Sequence, residues 1–451
     1  MRPLLALTLS LLAVAAVPAA ALAADPWSLP APIRAQTTSD PLPGLPAIAA
    51  NGAGQAIAVS DTGGALPDIG PHSVGSVFAD GAFSDPVQLT ARNIRMGPGS
   101  GGVLPYGQTR LLGAGVRALP ETSQAVVAFG RLAPGGAALE TPRGLGPSNM
   151  HVFRTAFAVN ARGDAAVVYP VCRAGGCNRV LVYLAVRRAG QSSFRSTRLA
   201  DAGGPLSQVA AAVNDRGDAL AVWTEGSTLY ARVRTAGGRL RSRQRVGATV
   251  RGQHLAPSAT LSLHRAELIG WLAQRVSEGD HSEGIAWVAQ ARDGGPFTAT
   301  RLDSVPAAAN YVMEPAVSVG YGSQGRALVA WTAFATGRFS VRLAQLRGAA
   351  NNPSQSLHNV QTVSDPAVNT VLSDLVIDPS GAAYALMLAG DSTASGISVR
   401  ASGGEEIAPP ATGAAAPSSV DGALLSDGRV LAVWGTGGGA AFSVRATPTQ
   451  P

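Results

Sequence analysis

The stretch Gln208 to Val246, QVAAAVNDRGDALAVWTEGSTLYARVRTAGGRLRSRQRV, constrains the fold of this chain most, because its first half recurs along almost the whole sequence. Val209 to Val213 is an apolar run ending at Asn214-Asp215-Arg216-Gly217, where Asn and Asp favour a turn and Gly accepts the positive φ that closes a tight hairpin. Ala219 to Trp223 is apolar at odd and even positions alike, which predicts a strand buried on both faces of its sheet. Leu229 to Arg234 alternates apolar with polar residues up to Gly237-Gly238, and Leu240 to Val246 predicts a fourth strand.

The register of the copies is read by walking six residues on from the turn position. Gly217 leads to Trp223, Gly163 to Tyr169, Gly325 to Trp331, Gly428 to Trp434, Gly54 to Ser60 and Gly381 to Met387. Two copies keep the spacing without the Gly, Ser123 to Phe129 and Arg265 to Trp271. Eight turns at a mean spacing of about 53 residues predict an all-β propeller of about eight four-stranded blades. The expected blades are 45–90, 107–147, 153–200, 206–247, 256–303, 314–365, 371–410, and 418–447 completed by 27–37. The second is irregular, since only a few residues separate Phe129 from Gly135-Gly136, so seven blades is the alternative. Ala91 to Gln108 is the longest stretch without a strand pattern.

The two ends complement each other. Trp27-Ser28-Leu29-Pro30-Ala31-Pro32-Ile33 matches Phe83-Ser84-Asp85-Pro86-Val87-Gln88-Leu89, the expected fourth strand of the first repeat, in its aromatic and aliphatic ends. The last repeat runs through Gly428, Trp434 and Phe442-Ser443-Val444-Arg445 and lacks a fourth strand. An N-terminal strand is therefore expected to close the ring, removing the edges an open array would present. Pro30 and Pro32 fit an outermost strand, which has one unpaired edge. Met1 to Ala23 has the composition of a secretory signal peptide, with Arg2 as its charged start, an apolar core from Leu4 to Val17 and Ala21-Leu22-Ala23 as the small-residue cleavage site. The 24–451 remainder is expected as one domain, extracellular or cell-wall associated, and no later segment is apolar for long enough to span a bilayer.

All 35 basic residues are Arg, and the formal charge of +7 falls by one to +6 once Arg2 is removed. Their scatter through every repeat argues against a nucleic-acid partner, and a monomer is expected. Cys172 and Cys177, in CRAGGC, flank the loop between the second and third strands of one blade. In an exported chain they predict a local disulfide, and the CxxC spacing of a redox pair is missing.

The strand, Asx or Gly turn and strand resemble the inner hairpin of secreted bacterial propellers in general, and loosely the NHL-type repeats, which also place a Gly six residues before a marked position. Those repeats carry Asp there, where this chain has mostly Trp or another large residue. The sialidase Asp-box spacing and the WD40 and kelch signatures are missing. The resemblance implies architecture and brings over no functional residue.

Four sets of residues invite chemistry. Trp223, Trp271, Trp331 and Trp434, with Phe129 and Tyr169 in register, are expected as core between blades rather than a sugar-stacking platform. Arg232, Arg342, Arg400 and Arg445 follow Leu-Tyr-Ala, Phe-Ser-Val, Ile-Ser-Val and Phe-Ser-Val, so they stand at matching places in third strands. They either converge on a carboxylate or sulfate or, as the simpler expectation, serve the surface and the blade contacts. The tripeptides Arg162-Gly163-Asp164 and Arg216-Gly217-Asp218 sit at the repeat's own turn, where geometry already requires the Gly. The loop Ser277 to Gly284 gathers Glu278, Asp280, His281 and Glu283, a set able to hold a divalent metal or act as acid and base. No cofactor fingerprint, nucleophile elbow or metalloprotease motif is present. These features lead to a secreted, non-catalytic binding or scaffold propeller for an extracellular glycan or protein. The alternative is a propeller glycoside hydrolase or lyase built on the acidic loop and Arg residues.

Overall fold

Asn214 shows how the repeat makes a hairpin. Its Oδ1 accepts hydrogen bonds from the backbone N–H groups of Arg216 (3.1 Å) and Asp218 (2.9 Å), and the Gly217 N–H donates to its carbonyl at 2.8 Å. Gly217 closes the turn at φ +82°, a conformation costly to any residue with a Cβ. Asn51 and Asn160 repeat the arrangement, and in the fifth copy Ser262 Oγ accepts from the Ala266 N–H.

The structure is a computed structural model that describes residues 31–33, 47–61, 71–97 and, with short internal gaps, 101–444. All of its secondary-structure elements are strands, arranged as eight antiparallel sheets in chain order. The first strands are Ala47–Ala50, Gly102–Tyr106, Ala156–Val159, Val209–Val213, Gly252–Leu261, Val317–Tyr321, Thr370–Ile377 and Ser419–Leu424. Each lies beside the first strands of the sheets before and after it, and that of the eighth lies beside that of the first. The first strands thus surround a common axis, and the fold is a closed β-propeller.

The last sheet is completed by the other end of the chain. Ala31 pairs with Phe442 and Pro32 with Ala441, and Ile33 is buried among Ile48, Phe78, Leu425 and Val433 of the first and eighth sheets. The expected correspondence holds at the three described positions: Val87–Gln88 pair with the third strand of the first sheet and Leu89 is buried, as Ala31–Pro32 and Ile33 are here; Trp27 to Pro30 lie outside the described residues. Pro32 lies on an edge strand, where its missing N–H leaves no bond unmade. The expected leader, residues 1–23, lies outside the described residues.

The second sheet departs from the expected register. Its first strand is Gly102–Tyr106, inside the stretch that carries no strand pattern; its turn is at Gly107 (φ +57°), and its second strand is Arg110–Ala118. Ser123 begins the third strand instead of ending a first turn, and Ser123–Ala133 carries two short partners, Gly136–Leu139 and Arg143–Leu145. Gly102 and Pro105 read as loop residues, yet their strand is held by five cross-strand pairs to Arg110–Ala114.

Trp223, Trp271, Trp331, Trp434 and Tyr169 are all at most 1 % exposed and lie in the clusters between sheets, so the repeated large residue is core. Phe129, from the displaced second copy, is only partly buried and lies under Arg143 and Arg187.

Candidate functional site

The four arginines do not converge. Arg232 lies opposite Ala221, two residues before Trp223, whereas Arg342 lies opposite Trp331 itself. Arg400 lies opposite Ala385, two before Met387, and Arg445 is outside the described residues. Hairpin length does not set this register: Trp223 pairs with Tyr230, seven residues on, whereas Trp331 with Arg342 and Met387 with Ser398 are both eleven on. Where the side chains are described, each ties its sheet to the preceding one. Arg232 donates to the carbonyls of Arg241 and, at 3.4 Å, Leu199, and Arg342 pairs with Asp303 at 2.8 Å. Of the acidic loop, Glu278, Asp280 and His281 lie outside the described residues, and Glu283 is placed by register alone, opposite Arg275 and Pro306. Among the described residues no group of three or more His, Cys, Asp or Glu could hold a metal ion.

The two RGD tripeptides are structural. Asp164 and Asp218 are buried, and each accepts a hydrogen bond from the next hairpin of its own sheet, Ala189 N–H at 3.0 Å and Ala236 N–H at 2.6 Å. Burial alone would raise both carboxyls. The bonds from Ala189, Asn160 and Arg162, and from Ala236, Asn214 and Arg265, outweigh it and hold them below the ordinary carboxylate range. No oxygen is left to meet a receptor.

Two arrangements remain that the repeat does not explain. The first lies on the axis-facing strands at the closure of the ring. Asp374 and Asp421, from the first strands of the seventh and eighth sheets, are hydrogen-bonded to each other. Asp421 Oδ2 accepts from the Ile48 N–H of the first sheet at 2.8 Å, and the Gly422 N–H donates to Asp374 Oδ2 and Asp421 Oδ1. Two carboxyls bond directly only when they share a proton. Enclosure between three strands raises both above the ordinary range, and the Asp374 charge lifts Asp421 further.

The second lies on the third sheet, at the end that carries the loop between its second and third strands. A disulfide joins Cys172 to Cys177 across that loop. Met150–Val152 pairs with Val171–Arg173 beyond the end of the first strand, so the second strand keeps a partner up to the loop. A cleft of about 220 Å³ opens there, floored by Met150, Val171, Cys172 and Leu181 and rimmed by Arg173, Arg179 and Arg198. Two irregularities aim this rim. The register shifts between Cys172 and Arg173, re-aiming the Arg at the loop. Residues three apart in a strand point to opposite faces, but Leu199 is an extra residue between the pairs Tyr183↔Arg198 and Val182↔Ala200. Arg198 and Asp201 therefore share a face, and Asp201 binds both Arg198 and Arg179. Those bonds, Arg179 foremost, hold the Asp201 carboxyl below its ordinary range.

Sequence reasoning found the Cys172–Cys177 bridge and passed over the other residues of these two arrangements. Asp374 and Asp421 stand at the same place in successive copies of the repeat, each seven residues before its turn Gly, and they meet because neighbouring first strands are adjacent. The three arginines share a rim only through two strand irregularities that leave no mark in the residue types.

No family model and no curated protein matches the chain. Solved structures similar to it include the propeller domain of the Trilobed protease from Pyrococcus furiosus (8 % identity over 75 % of this chain and 89 % of that one, TM-score 0.40). A sialidase from Streptococcus pneumoniae matches at 10 % identity (82 % and 68 %, TM-score 0.39), and an α-L-arabinofuranosidase from Fusarium graminearum at 11 % (71 % and 98 %, TM-score 0.39). The fold assignment rests on this chain's own sheet order and closed ring.

Proposed function

We propose that this protein is an exported, non-catalytic binding propeller whose partner engages the end of the third sheet where the loop joins its second and third strands. The observation that carries the reading is the cleft beside Cys172–Cys177: an apolar floor with charged groups at its rim, the usual composition of a recognition site. The disulfide supports export, since such bonds persist in oxidising compartments. No helix of the described residues is long and apolar enough to cross a membrane. A protein partner suits the site better than a glycan, because the repeated tryptophans are spent on the core and the floor of the cleft is aliphatic.

The acidic loop on which the hydrolase alternative is built lies outside the described residues, and the carboxyl pair on the axis-facing strands is not arranged for that chemistry. Glycosidases hold two carboxyl groups about 5 Å or more apart, so that a sugar or a water fits between them. Asp374 and Asp421 touch each other, and the oxygens of Asp421 are taken by Ile48 and Gly422. The test is to present the chain from residue 24 onward to a glycan array and to an array of peptides with free C-termini, with product analysis of every hit. Retention of unaltered peptides supports the reading; release of a cleaved product overturns it, and silence on both arrays removes the binding role.

A further inference from the structure

The rim of the cleft carries three guanidinium groups and one carboxylate. Arg179 and Arg198 both bind Asp201, and Arg173 is exposed with no acidic partner among the described residues. Two positive charges are thus left over a floor of Met150, Val171 and Leu181, in a space of about 220 Å³ that admits one small group. Arg presents a planar fork that matches a carboxylate, and an aliphatic floor rewards an apolar body without asking for hydrogen bonds. Arg179 already holds one carboxylate through two donors, Nε and Nη2, and that carboxylate belongs to the protein itself.

We propose that the cleft binds an aliphatic carboxylate, with the ligand's acid group at Arg173 and Arg179, its apolar body on Met150, Val171 and Leu181, and Asp201 as a built-in competitor for the Arg179 fork. The proposal rests on the binding reading above and deepens it. Such a ligand comes from one of two sources that share this chemistry: the C-terminal residue of a peptide, or a free branched-chain acid. Asp201 sets the affinity, because each ligand must displace it from Arg179, while Arg198 stays with Asp201 and keeps it from being left unpaired. Attraction between exposed charges is screened by salt, so binding weakens as salt rises.

Calorimetric titration of the mature chain with N-acetyl-leucine, isovalerate and N-acetyl-leucinamide tests it, using the wild type and the variants Arg173→Ala, Arg179→Ala and Asp201→Asn. Both acids are expected to bind and the amide to bind at least tenfold more weakly. Each Arg variant should lose about tenfold, and Asp201→Asn should gain about threefold or more. N-acetyl-leucine binding well above isovalerate identifies a peptide end; equal binding identifies the free acid. Equal binding of acid and amide overturns the proposal, and so does weaker binding by a folded Asp201→Asn variant or no binding by either it or the wild type. Array hits that none of these substitutions alters would leave the general binding reading standing and remove this one.

Discussion

Glu267, near the start of a second strand, and Asp218, immediately before one, are both sealed carboxylates, and their surroundings drive them in opposite directions. Glu267 has no exposed surface; its Oε1 accepts from the Gly294 N–H at 2.7 Å and its Oε2 has no hydrogen-bond partner among the described residues. Burial, helped by the Asp293 charge and only partly offset by Gly294, pushes the carboxyl up to about 7. In the unfolded chain a Glu titrates near 4.5, so between 4.5 and 7 the folded form holds a proton that the unfolded form has lost. Stability present below that window falls as pH rises through it, by about 3 kcal/mol in all. Glu267→Gln keeps the acceptor for Gly294 and removes the charge. Its urea-denaturation midpoint is expected to fall less than that of the wild type between pH 4.5 and 8, and parallel profiles would refute the account. Asp218 is held below its ordinary range by Ala236, Asn214 and Arg265, so its contribution is present at neutral pH and is lost only as pH falls below about 3.8. Asp218→Ala leaves the Ala236 N–H without its acceptor and Arg265 with only the more distant Asp293, and is expected to cost about 3 kcal/mol at pH 7. A cost under 1 kcal/mol would mean that the buried acid is dispensable.

Each asparagine at the start of a first hairpin acts twice. Besides its own turn, the Nδ2 of Asn51, Asn160 and Asn214 donates to a backbone carbonyl in the next sheet's turn, that of Gln108, Asn214 and Ser262 respectively. The chain supplies its own control, because Ser262 caps its turn through Oγ. Asn214→Ser should keep the turn and lose the link, costing about 1 kcal/mol, and Asn214→Ala should lose both and cost about 2 kcal/mol. Equal costs would show that the link between sheets contributes nothing. These turns are also why the fold was legible. The turn residue, Gly in six copies and Arg265 in a seventh, followed by an apolar strand that ends six residues on, is a local signal, and it placed seven of the eight first hairpins. The second was misread because Gly102 and Pro105 mark loops by residue type, while their strand is fixed by pairing with Arg110–Ala114. The closing strand was legible through its match to Phe83–Leu89. The cleft was not, since its geometry turns on the irregularities at Cys172/Arg173 and Val182/Tyr183, and no residue type announces either. The matched third-strand arginines failed for a related reason: similar tripeptides fell at different cross-strand registers, Arg342 opposite the marked residue and Arg232 and Arg400 two residues before it.

At the scale of the whole ring the weak point is the eighth sheet and its junction with the first, because that sheet is completed by pairing between the two ends of the chain and not by continuous chain. The contacts that hold it include the pairing of Ala31–Pro32 with the eighth sheet, the packing of Ile33, Ile48 and Phe78 against Ala423, Leu425 and Val433, and the bond from the Ile48 N–H to Asp421. Asp421 bonds well only while it shares a proton with Asp374, and no arginine stands on any first strand to take over once that proton leaves. Both carboxyls are raised by enclosure, so this junction, like Glu267, is strongest at acid pH and loosens as pH rises through the raised range. The two effects are separated by working in the Glu267→Gln background. There Asp374→Asn keeps an oxygen for the Gly422 N–H, supplies an amide donor to Asp421 and removes the like charge that lifts it. The double variant is expected to hold its denaturation midpoint nearly constant from pH 5 to 9, where Glu267→Gln alone still declines. Hydrogen exchange localises the effect: amides of Ile48 and Gly422 should lose protection at pH 9 in the Glu267→Gln protein and keep it in the double variant. If both proteins decline alike, or if the lost protection lies in sheets far from the junction, the shared proton is not what holds the ring closed.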